Sequence, residues 1–563
     1  MLNLTKNAKI VLRRFLARNK EGEIIESPEE MFRRIAKNIA KEDKKYNQDK
    51  EKSEKEFYEA MTNLEFMPNI PILANAGRSL QQLAACFVIP IPDSLEGIFQ
   101  ALKEMALIQK TGGGTGFSFS RLRPEGSIVR ETGGVASGPV SFMQVFDCAT
   151  AAIKEGGIRR GANMGILGIE HPDIEKFIKC KDKGSFSNFN ISVAINDKFM
   201  NAVQENKTFE LVFNGKLHKK VSAKKLFNMI AKHAWQTGDP GILFIDTINK
   251  ANPTPSLGKI EATNPCGEQP LLPFESCVLG SINLMKIIEN NRINWKKLEY
   301  LVELGVHFLD NCIDASSYPV PEIEKIVKAN RKIGLGVMGF ADMLISLGIP
   351  YNSQEAVEKA EEIMSFIQKK AHEASSKLAE IRGNFPNFKK SIWKSKTKYM
   401  RNATCTTIAP TGTIGIIANC SQGIEPIFAV SYVRYTHFGK LAEINPLFKQ
   451  ISEKYKLPKY EFGKIFEIGS VKQSTLPPEV KRLFLSAHEI EPAWHVKVQA
   501  AFQKYTDNAV SKTVNLPEDA SVKDVEKIFM LAYKLGCKGL TIYRHKSKPF
   551  QVLAFGKKLK TIT

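Results

Sequence analysis

The stretch Asn264-Pro265-Cys266-Gly267-Glu268 sets an amide, a thiol and a carboxylate at alternate positions. In an extended segment, side chains at i, i+2 and i+4 share one face. Read as extended, the stretch turns a hydrogen-bonding amide, a sulfur and an acid/base group toward a single partner. A second thiol follows in Glu275-Ser276-Cys277. The five residues alone equally fit a plain loop, with a buried cysteine beside two surface polar groups, because cysteine is commonly buried and inert.

The flanking sequence narrows the fold. From about Leu83, short apolar runs such as Cys86–Ile91, Gly116–Phe119 and Gly165–Ile169 alternate with helical segments and Gly-rich turns. That alternation predicts an α/β fold with many parallel strands. Residues 1–80 read as a mainly helical region. Ser27-Pro28-Glu29-Glu30 has the form of an N-cap with an acidic first turn, and Met31, Ile35 and Ile39 recur at helical spacing. The charged residues 41–56 are expected to form a solvated helix or loop. The predicted organisation is a helical region over 1–80, a catalytic α/β unit over 81–550 and a short basic tail over 551–563.

At 563 residues the chain exceeds an ordinary domain. Two or three domains fit, as does one large barrel with a smaller attachment. Its 43% hydrophobic and 25% charged content is ordinary for a globular protein. The longest uncharged stretches carry Gly, Pro, Thr and Asn, as in Asn402–Ile424, and none reads as a membrane span. No apolar run follows the basic residues at the N-terminus, so no secretory signal is expected. The net charge of +21 suits nucleic acids, anionic lipids or phosphorylated small molecules. It also suits a Lys-rich solvated surface. The lysines are dispersed among acids, as in Lys41-Glu42-Asp43-Lys44-Lys45, with no basic stripe interleaved with aromatics. Neither a nucleic acid nor a membrane is therefore expected as a partner. None of the nine cysteines has Cys-x-x-Cys spacing, and reduced cytoplasmic thiols are expected.

Familiar alternatives fail on spacing. The chain has no Gly-x-x-x-x-Gly-Lys loop, and Gly112–Gly116 does not fit a dinucleotide fingerprint. His488 and His495, near Glu489 and Glu491, read as ordinary helix and loop residues. No Glu-x-x-His pair supports a di-iron site, and no metal is expected.

Longer motifs carry a resemblance. Ala262-Thr263-Asn264-Pro265-Cys266-Gly267-Glu268-Gln269-Pro270-Leu271 is followed by Gly280-Ser281-Ile282-Asn283-Leu284. Gly112-Gly113-Gly114-Thr115-Gly116-Phe117, Arg159-Arg160-Gly161-Ala162-Asn163-Met164-Gly165 and Ala409-Pro410-Thr411-Gly412-Thr413-Ile414 occur in the same chain, as does Gly536-Cys537-Lys538-Gly539-Leu540-Thr541-Ile542-Tyr543-Arg544. In this order, over nearly the whole chain, the set resembles ribonucleotide reductases, most of all the adenosylcobalamin-dependent class II enzymes. The resemblance implies a ten-stranded α/β barrel of two five-stranded halves. It also implies a finger loop around Cys266 and a smaller helical region ahead of the barrel.

It further implies roles. Cys266 takes the position of the transient thiyl radical, Glu268 that of the general base and acid at the ribose 3′-hydroxyl, and Asn264 that of a substrate hydroxyl contact. Cys86 and Cys277 take the positions of the thiol pair that supplies two electrons and closes to a disulfide. Pro410, Thr411, Gly412, Thr413 and Ile414 match the substrate-phosphate loop, with Gly114 among the substrate contacts. Asp93, Ser94 and Arg123 match a deoxynucleotide effector site at a dimer interface. Arg159, Arg160 and Asn163 match the loop that connects effector to substrate base. The implied partners are a ribonucleotide, a deoxynucleotide effector, a thiol reductant (thioredoxin-like or a small dithiol) and a second copy of the chain.

The radical source follows by elimination within the family. Class I large chains receive the radical through adjacent tyrosines, whereas Thr541-Ile542-Tyr543-Arg544-His545 has one. Class III chains lack the Glu two residues after the radical cysteine. Adenosylcobalamin remains as the expected cofactor. One departure stands out: class II enzymes commonly end in a tail with a cysteine pair, and no Cys follows Cys537 before Thr563. The expectation is that an external thiol re-reduces Cys86 and Cys277, or that part of the polypeptide is encoded elsewhere. The N-terminus lacks an obvious extra nucleotide-binding cone. A large chain driven by a separate radical subunit, and an inactive nucleotide-binding regulator, are the competing readings.

Overall fold

The computed structural model describes residues 2–129, 133–153, 161–182, 184–436, 439–547 and 553–554. The main sheet consists of β1 (Phe66–Pro68), β2 (Cys86–Val88), β3 (Gly114–Ser118), β4 (Asn163–Gly168), β5 (Phe189–Ile195), β6 (Gly241–Phe244), β7 (Ser276–Asn283), β8 (Ile333–Met338), β9 (Thr513–Leu516) and β10 (Gly539–Arg544). β3, β4, β7 and β8 are buried along their whole length. Strands covered on both faces lose the apolar/polar alternation of a one-sided sheet, which is why they read as short continuous apolar runs.

Pairing divides the sheet into two parallel halves. β2 through β6 run parallel to one another in chain order. In the other half β7 pairs parallel with β8 and β9 with β10. Between β8 and β9 lies the segment 404–408, bridged in parallel to Leu335 through Thr406 and to Val510 through Ile408. The halves meet antiparallel at two seams, β2 with β7 and β6 with β10. The ring is thereby closed, which removes free sheet edges. β1 stands off the ring, antiparallel to the far end of β7.

Helices Lys6–Leu12, Pro28–Ala40, Lys50–Thr62 and Ile70–Asn75 precede the barrel. Ser27 and Glu30 form a reciprocal capping box, and Met31, Ile35 and Ile39 are buried. The charged stretch 41–56 departs from expectation. Lys41–Tyr46 is a 3-10 turn whose Asp43 is fully buried. Its carboxylate pairs with Arg382 at 2.6 Å and His307 at 2.8 Å. Arg382, Arg331 and Arg401 also surround the buried Asp310. Burial alone raises the Asp310 pKa; the three guanidinium groups overcome it and hold the carboxyl well below its usual range. Buried charge persists only when paired, so this network joins the helical region to the barrel with a fixed geometry. Residues 553–554 pair with the strand Ser431–Thr436, and the rest of the expected basic tail lies outside the described residues.

Candidate active site

Ala262–Thr263 and Pro270–Leu271 form a short antiparallel hairpin that projects into the barrel. Its tip is not extended, contrary to the alternating reading. The Gly267 N–H donates to the Asn264 carbonyl at 3.1 Å, and Gly267 has φ +80°, a conformation that glycine adopts without a Cβ penalty. The Asn264 side-chain oxygen accepts from the Gln269 N–H at 3.0 Å and closes the turn. Asn264 and Glu268 therefore come together because the chain reverses between them.

Both halves of the barrel hold the tip. Asn190 on β5 donates to the Pro265 carbonyl at 2.8 Å. From the other half, the Thr407 hydroxyl and the Ala509 N–H each donate to the Glu268 carbonyl at 2.9 Å. A Cβ on Gly116 would lie 1.7 Å from the Thr263 carbonyl oxygen, so only glycine admits the hairpin there. A Cβ on Gly114 would lie 3.0 Å from Pro265. Gly114, grouped by sequence with the substrate contacts, thus forms the floor beneath the finger tip.

Asn264 and Glu268 are buried and converge on Cys86. The Asn264 amide donates to the Cys86 sulfur at 3.1 Å, and a Glu268 carboxylate oxygen lies 4.0 Å from that sulfur. Cys86 and Cys277 are Cα partners across the β2/β7 seam. Directly opposed antiparallel residues have Cα atoms about 4.5–5.5 Å apart, inside the roughly 7 Å limit for a disulfide. Ala85, Leu279 and Ala409 enclose the pair. Burial pushes the Cys277 thiol well above its ordinary pKa, and its sulfur donates weakly to the Val278 and Lys332 carbonyls.

Sequence reasoning missed the support beneath Cys277. Glu275 pairs with Lys332 at 2.6 Å with both side chains almost fully buried, and Asn330 donates to the same carboxylate at 2.6 Å. The available signal was an acid directly before an apolar strand.

Cys266 is half-buried and opens onto a cavity of about 980 Å³. Asn190, Pro410, Phe428, His488, Lys512 and Tyr543 are among its lining residues. Thr411 takes φ +53° ahead of the short helix Gly412–Ala418, and its hydroxyl accepts from the Gly423 N–H at 2.7 Å. That hydroxyl is engaged in holding the loop. Gly412 and Thr413 are partly exposed and Ile414 is buried. The first N–H groups of a helix have no intrahelical acceptor, so this loop turns backbone donors outward.

The residues grouped as effector contacts divide. Ser94 caps the helix Leu95–Lys110 by accepting from the Gly97 N–H at 3.1 Å. Beside it, Asp93 pairs with Arg123 at 2.8 Å. Asn163 lies elsewhere: it is fully buried, accepts from Gln109 at 2.8 Å and Thr115 at 2.7 Å, and donates to Thr150 at 2.7 Å. It begins a strand covered on both faces, so its amide is satisfied inward and is not directed at a ligand. Arg159 and Arg160 lie outside the described residues.

His372, Cys405 and Asp507 bring ligand-type atoms within 4.8 Å of one another. Asp507 there accepts from His372, from Gln368 at 2.9 Å and from the N–H groups of Cys405 and Thr406. These bonds fix the ring-closing segment 404–408. Among the described residues no helix is long and apolar enough to cross a membrane.

The closed ring of two parallel halves around an internal cysteine-bearing hairpin defines the class of protein. Residues 84–543 match the ribonucleotide reductase barrel domain and residues 3–81 the ribonucleotide reductase all-alpha domain. The chain belongs to the ribonucleotide reductase family. It is 46% identical over 619 residues to the vitamin B12-dependent ribonucleoside-diphosphate reductase of Thermoplasma acidophilum, covering 99% of this chain and 81% of that protein. It is also 46% identical over 562 residues to the enzyme of the same name from Mycobacterium tuberculosis, covering 98% of this chain and 80% of that one. Among solved structures, the class Id ribonucleotide reductase alpha subunit of Actinobacillus ureae superposes with a TM-score of 0.80, at 24% identity over 96% of this chain and 97% of the other. That likeness concerns the fold.

Proposed function

We propose that the chain reduces ribonucleoside diphosphates to 2′-deoxyribonucleotides by a thiyl-radical mechanism, with adenosylcobalamin as the radical source. One arrangement carries this reading: the finger tip sets Cys266 on the cavity while Asn264 and Glu268 converge on Cys86, which is opposed to Cys277. The names of the relatives at 46% identity support the diphosphate level and the cofactor.

In this reading Cys266 removes the ribose 3′-hydrogen and later returns it. An S–H bond and an activated C–H bond are close enough in strength for reversible exchange. Glu268 accepts and returns a proton at the 3′-hydroxyl while the 2′-hydroxyl leaves as water. Asn264 holds the ribose hydroxyls by hydrogen bonds. Cys86 and Cys277 supply two electrons and two protons: their S–H bonds are lost, one S–S bond forms, and C2′ gains hydrogen in place of oxygen. The donors at Gly412 and Thr413 receive the phosphates.

The cavity beside Cys266 fits a large cofactor. Its walls mix aromatic and polar groups, among them Phe428, Tyr432, Tyr543, Asn190 and Asn515. When bound, adenosylcobalamin supplies an organic radical by homolysis of its cobalt–carbon bond. The chain's own task is to hold Cys266 against that cavity, through Asn190, Thr407 and Ala509.

A homodimer with a deoxynucleotide effector near Asp93, Ser94 and Arg123 extends the proposal. The adjoining helix Leu95–Lys110 exposes Leu95, Phe99 and Leu107 at 61%, 51% and 39%, an apolar ridge suited to a second copy. Cysteines without Cys-x-x-Cys spacing suit a reducing, cytoplasmic compartment and an external thiol reductant. The test is anaerobic incubation of the purified chain with a ribonucleoside diphosphate, dithiothreitol and adenosylcobalamin. Deoxynucleotide is expected without a second protein. Product that forms only with an added radical-generating subunit would overturn the cofactor assignment.

A further inference from the structure

We propose that Lys6, on the first helix of the chain, is a phosphate contact in the cavity that Cys266 opens onto. This rests on the function proposed above. The helix Lys6–Leu12 belongs to the helical region, yet Thr5, Lys6, Asn7 and Ile10 line the same cavity as Cys266. Lys6 and Ile10 are four residues apart and so share one helix face. Several contacts fix that face to the wall. The Thr5 hydroxyl caps the helix by accepting from the Ala8 N–H at 3.1 Å. Ala8, Val11 and Leu12 are fully buried. The Asn7 amide donates at 2.7 Å to the Ala442 carbonyl, in the strand Gly439–Ile444. The helix also packs against Gly412–Ala418, which carries the loop proposed above to receive the phosphates. The backbone under Lys6 is therefore held while its side chain stays exposed.

Charge on the cavity wall selects the chemistry of the ligand. The acids that line it, Asp239, Asp342, Glu425 and Glu443, are each already engaged. Glu425 pairs with Lys512, Glu443 with Arg434 at 2.5 Å, and Asp239 with Lys181 at 2.9 Å. Asp342 accepts from the Ser421 N–H at 2.5 Å and from Asn445 at 2.9 Å. Two lining cations are left, Lys6 and Lys440, and neither pairs with a carboxylate among the described residues. Lys440 stands 5.9 Å from the centre of the Tyr435 ring. The uncompensated charge on this wall is thus positive, and an ammonium there draws anions into the cleft. It meets a phosphate as a point charge, without the planar match that a guanidinium needs. The neutral carboxamides of a corrin gain no comparable attraction. Two phosphates enter the reading above: the diphosphate of the ribonucleotide and the phosphodiester in the nucleotide loop of adenosylcobalamin. Packing of the Lys6 helix against Gly412–Ala418 favours the diphosphate, and the ligands below separate the two.

The test is equilibrium dialysis of the full chain at low salt, in the dark, for the wild type, Lys6→Ala and Lys6→Arg. The ligands are cytidine diphosphate, adenosylcobalamin, and adenosylcobinamide, which lacks the nucleotide loop and its phosphate. Lys6→Ala is expected to bind a phosphate ligand about three- to fivefold more weakly, the scale of an exposed ion pair. Added salt should erase the difference. Lys6→Arg keeps the charge and is expected within about twofold of wild type. Lys6 is exposed, so thermal melts of both variants should match the wild type. A loss for cytidine diphosphate assigns the contact to the substrate. A loss for adenosylcobalamin without one for adenosylcobinamide assigns it to the cofactor's phosphate. Wild-type affinity of Lys6→Ala for both phosphate ligands would overturn the inference. Equal losses for adenosylcobalamin and adenosylcobinamide, or equal losses in Lys6→Arg and Lys6→Ala, would overturn it too, since charge acting on a phosphate would then not be responsible. If the wild type binds none of the ligands, the proposed function falls, and this inference with it.

Discussion

Cys86 and Cys277 stand opposite each other as Cα partners where the two parallel halves of the barrel meet antiparallel. Cα atoms opposed in this way lie within the separation a disulfide requires. After one anaerobic turnover without external thiol, mass mapping is expected to find a single cross-linked peptide joining Cys86 to Cys277. Substitution of either by serine should remove the cross-link and multiple turnover together. Turnover with no such peptide would exclude the pair as electron donor.

Cys266→Ser is expected to lower activity at least a thousandfold, a barrier increase of roughly 4 kcal/mol, because an O–H bond is too strong to shuttle hydrogen. Substrate affinity should survive, since the hydroxyl is nearly isosteric. Glu268→Gln should lose the dehydration step, because an amide cannot cycle a proton. Nucleotide binding and single-turnover product, measured side by side, separate the two roles.

Gly116→Ala places a methyl group against the Thr263 backbone. The hairpin must move, at a cost of about 1–3 kcal/mol or more, and activity should fall with it. Gly463, in the helix Lys459–Ile468, has nothing within 4 Å of its missing Cβ. Gly463→Ala should therefore stabilise by up to about 1 kcal/mol. Thermal melts of the pair check both signs.

Phe99→Glu puts a charge in the middle of the exposed ridge on Leu95–Lys110. The chain is expected to shift from dimer to monomer by light scattering, with loss of effector response. An unchanged mass would remove this ridge from the interface.

His372 and Asp507 lie 3.0 Å apart. Burial lowers the His372 pKa, but Asp507 outweighs it and the net shift is upward. Burial likewise raises Asp507, and His372 with the surrounding donors brings the net shift below the ordinary range. The histidine term is therefore fully present below its unfolded pKa of about 6.5 and is lost as pH rises through the raised folded value. The aspartate term is present above its unfolded pKa of about 3.9 and is lost in acid. His372→Gln should lower stability by about 1 kcal/mol near pH 6, and the gap to wild type should narrow as pH rises through the raised folded value. A gap that stays constant across that range would mean that His372 does not titrate with folding.

Much of the fold is legible along the chain because each element writes a local pattern. The capping box at Ser27 and the apolar spacing of Met31, Ile35 and Ile39 announce a helix before any tertiary contact exists. The apolar runs at Cys86, Gly116 and Gly165 announce buried strands for the same reason. The segment 404–408 left no such mark. It is a bridged stave whose order comes from Asp507, a residue distant in sequence. Asp43, in a run that reads as solvated, is buried because Arg382 and His307, both distant in sequence, pair with its carboxylate.

At the site, residue order along the chain supplies the chemical groups: the amide, thiol and carboxylate of Asn264, Cys266 and Glu268, and the cysteines at 86 and 277. Tertiary structure decided how they meet. Alternation suggested an extended strand, yet Asn264 and Glu268 converge through a turn at Gly267, because the hairpin must reverse inside a closed ring. The register that opposes Cys86 to Cys277 is a property of the seam between two halves of the barrel, as is the neighbourhood of Glu275 and Lys332. Local patterns follow from neighbours a few residues apart; seams, cavities and buried pairs follow from contacts between residues far apart in sequence, which no local spacing encodes.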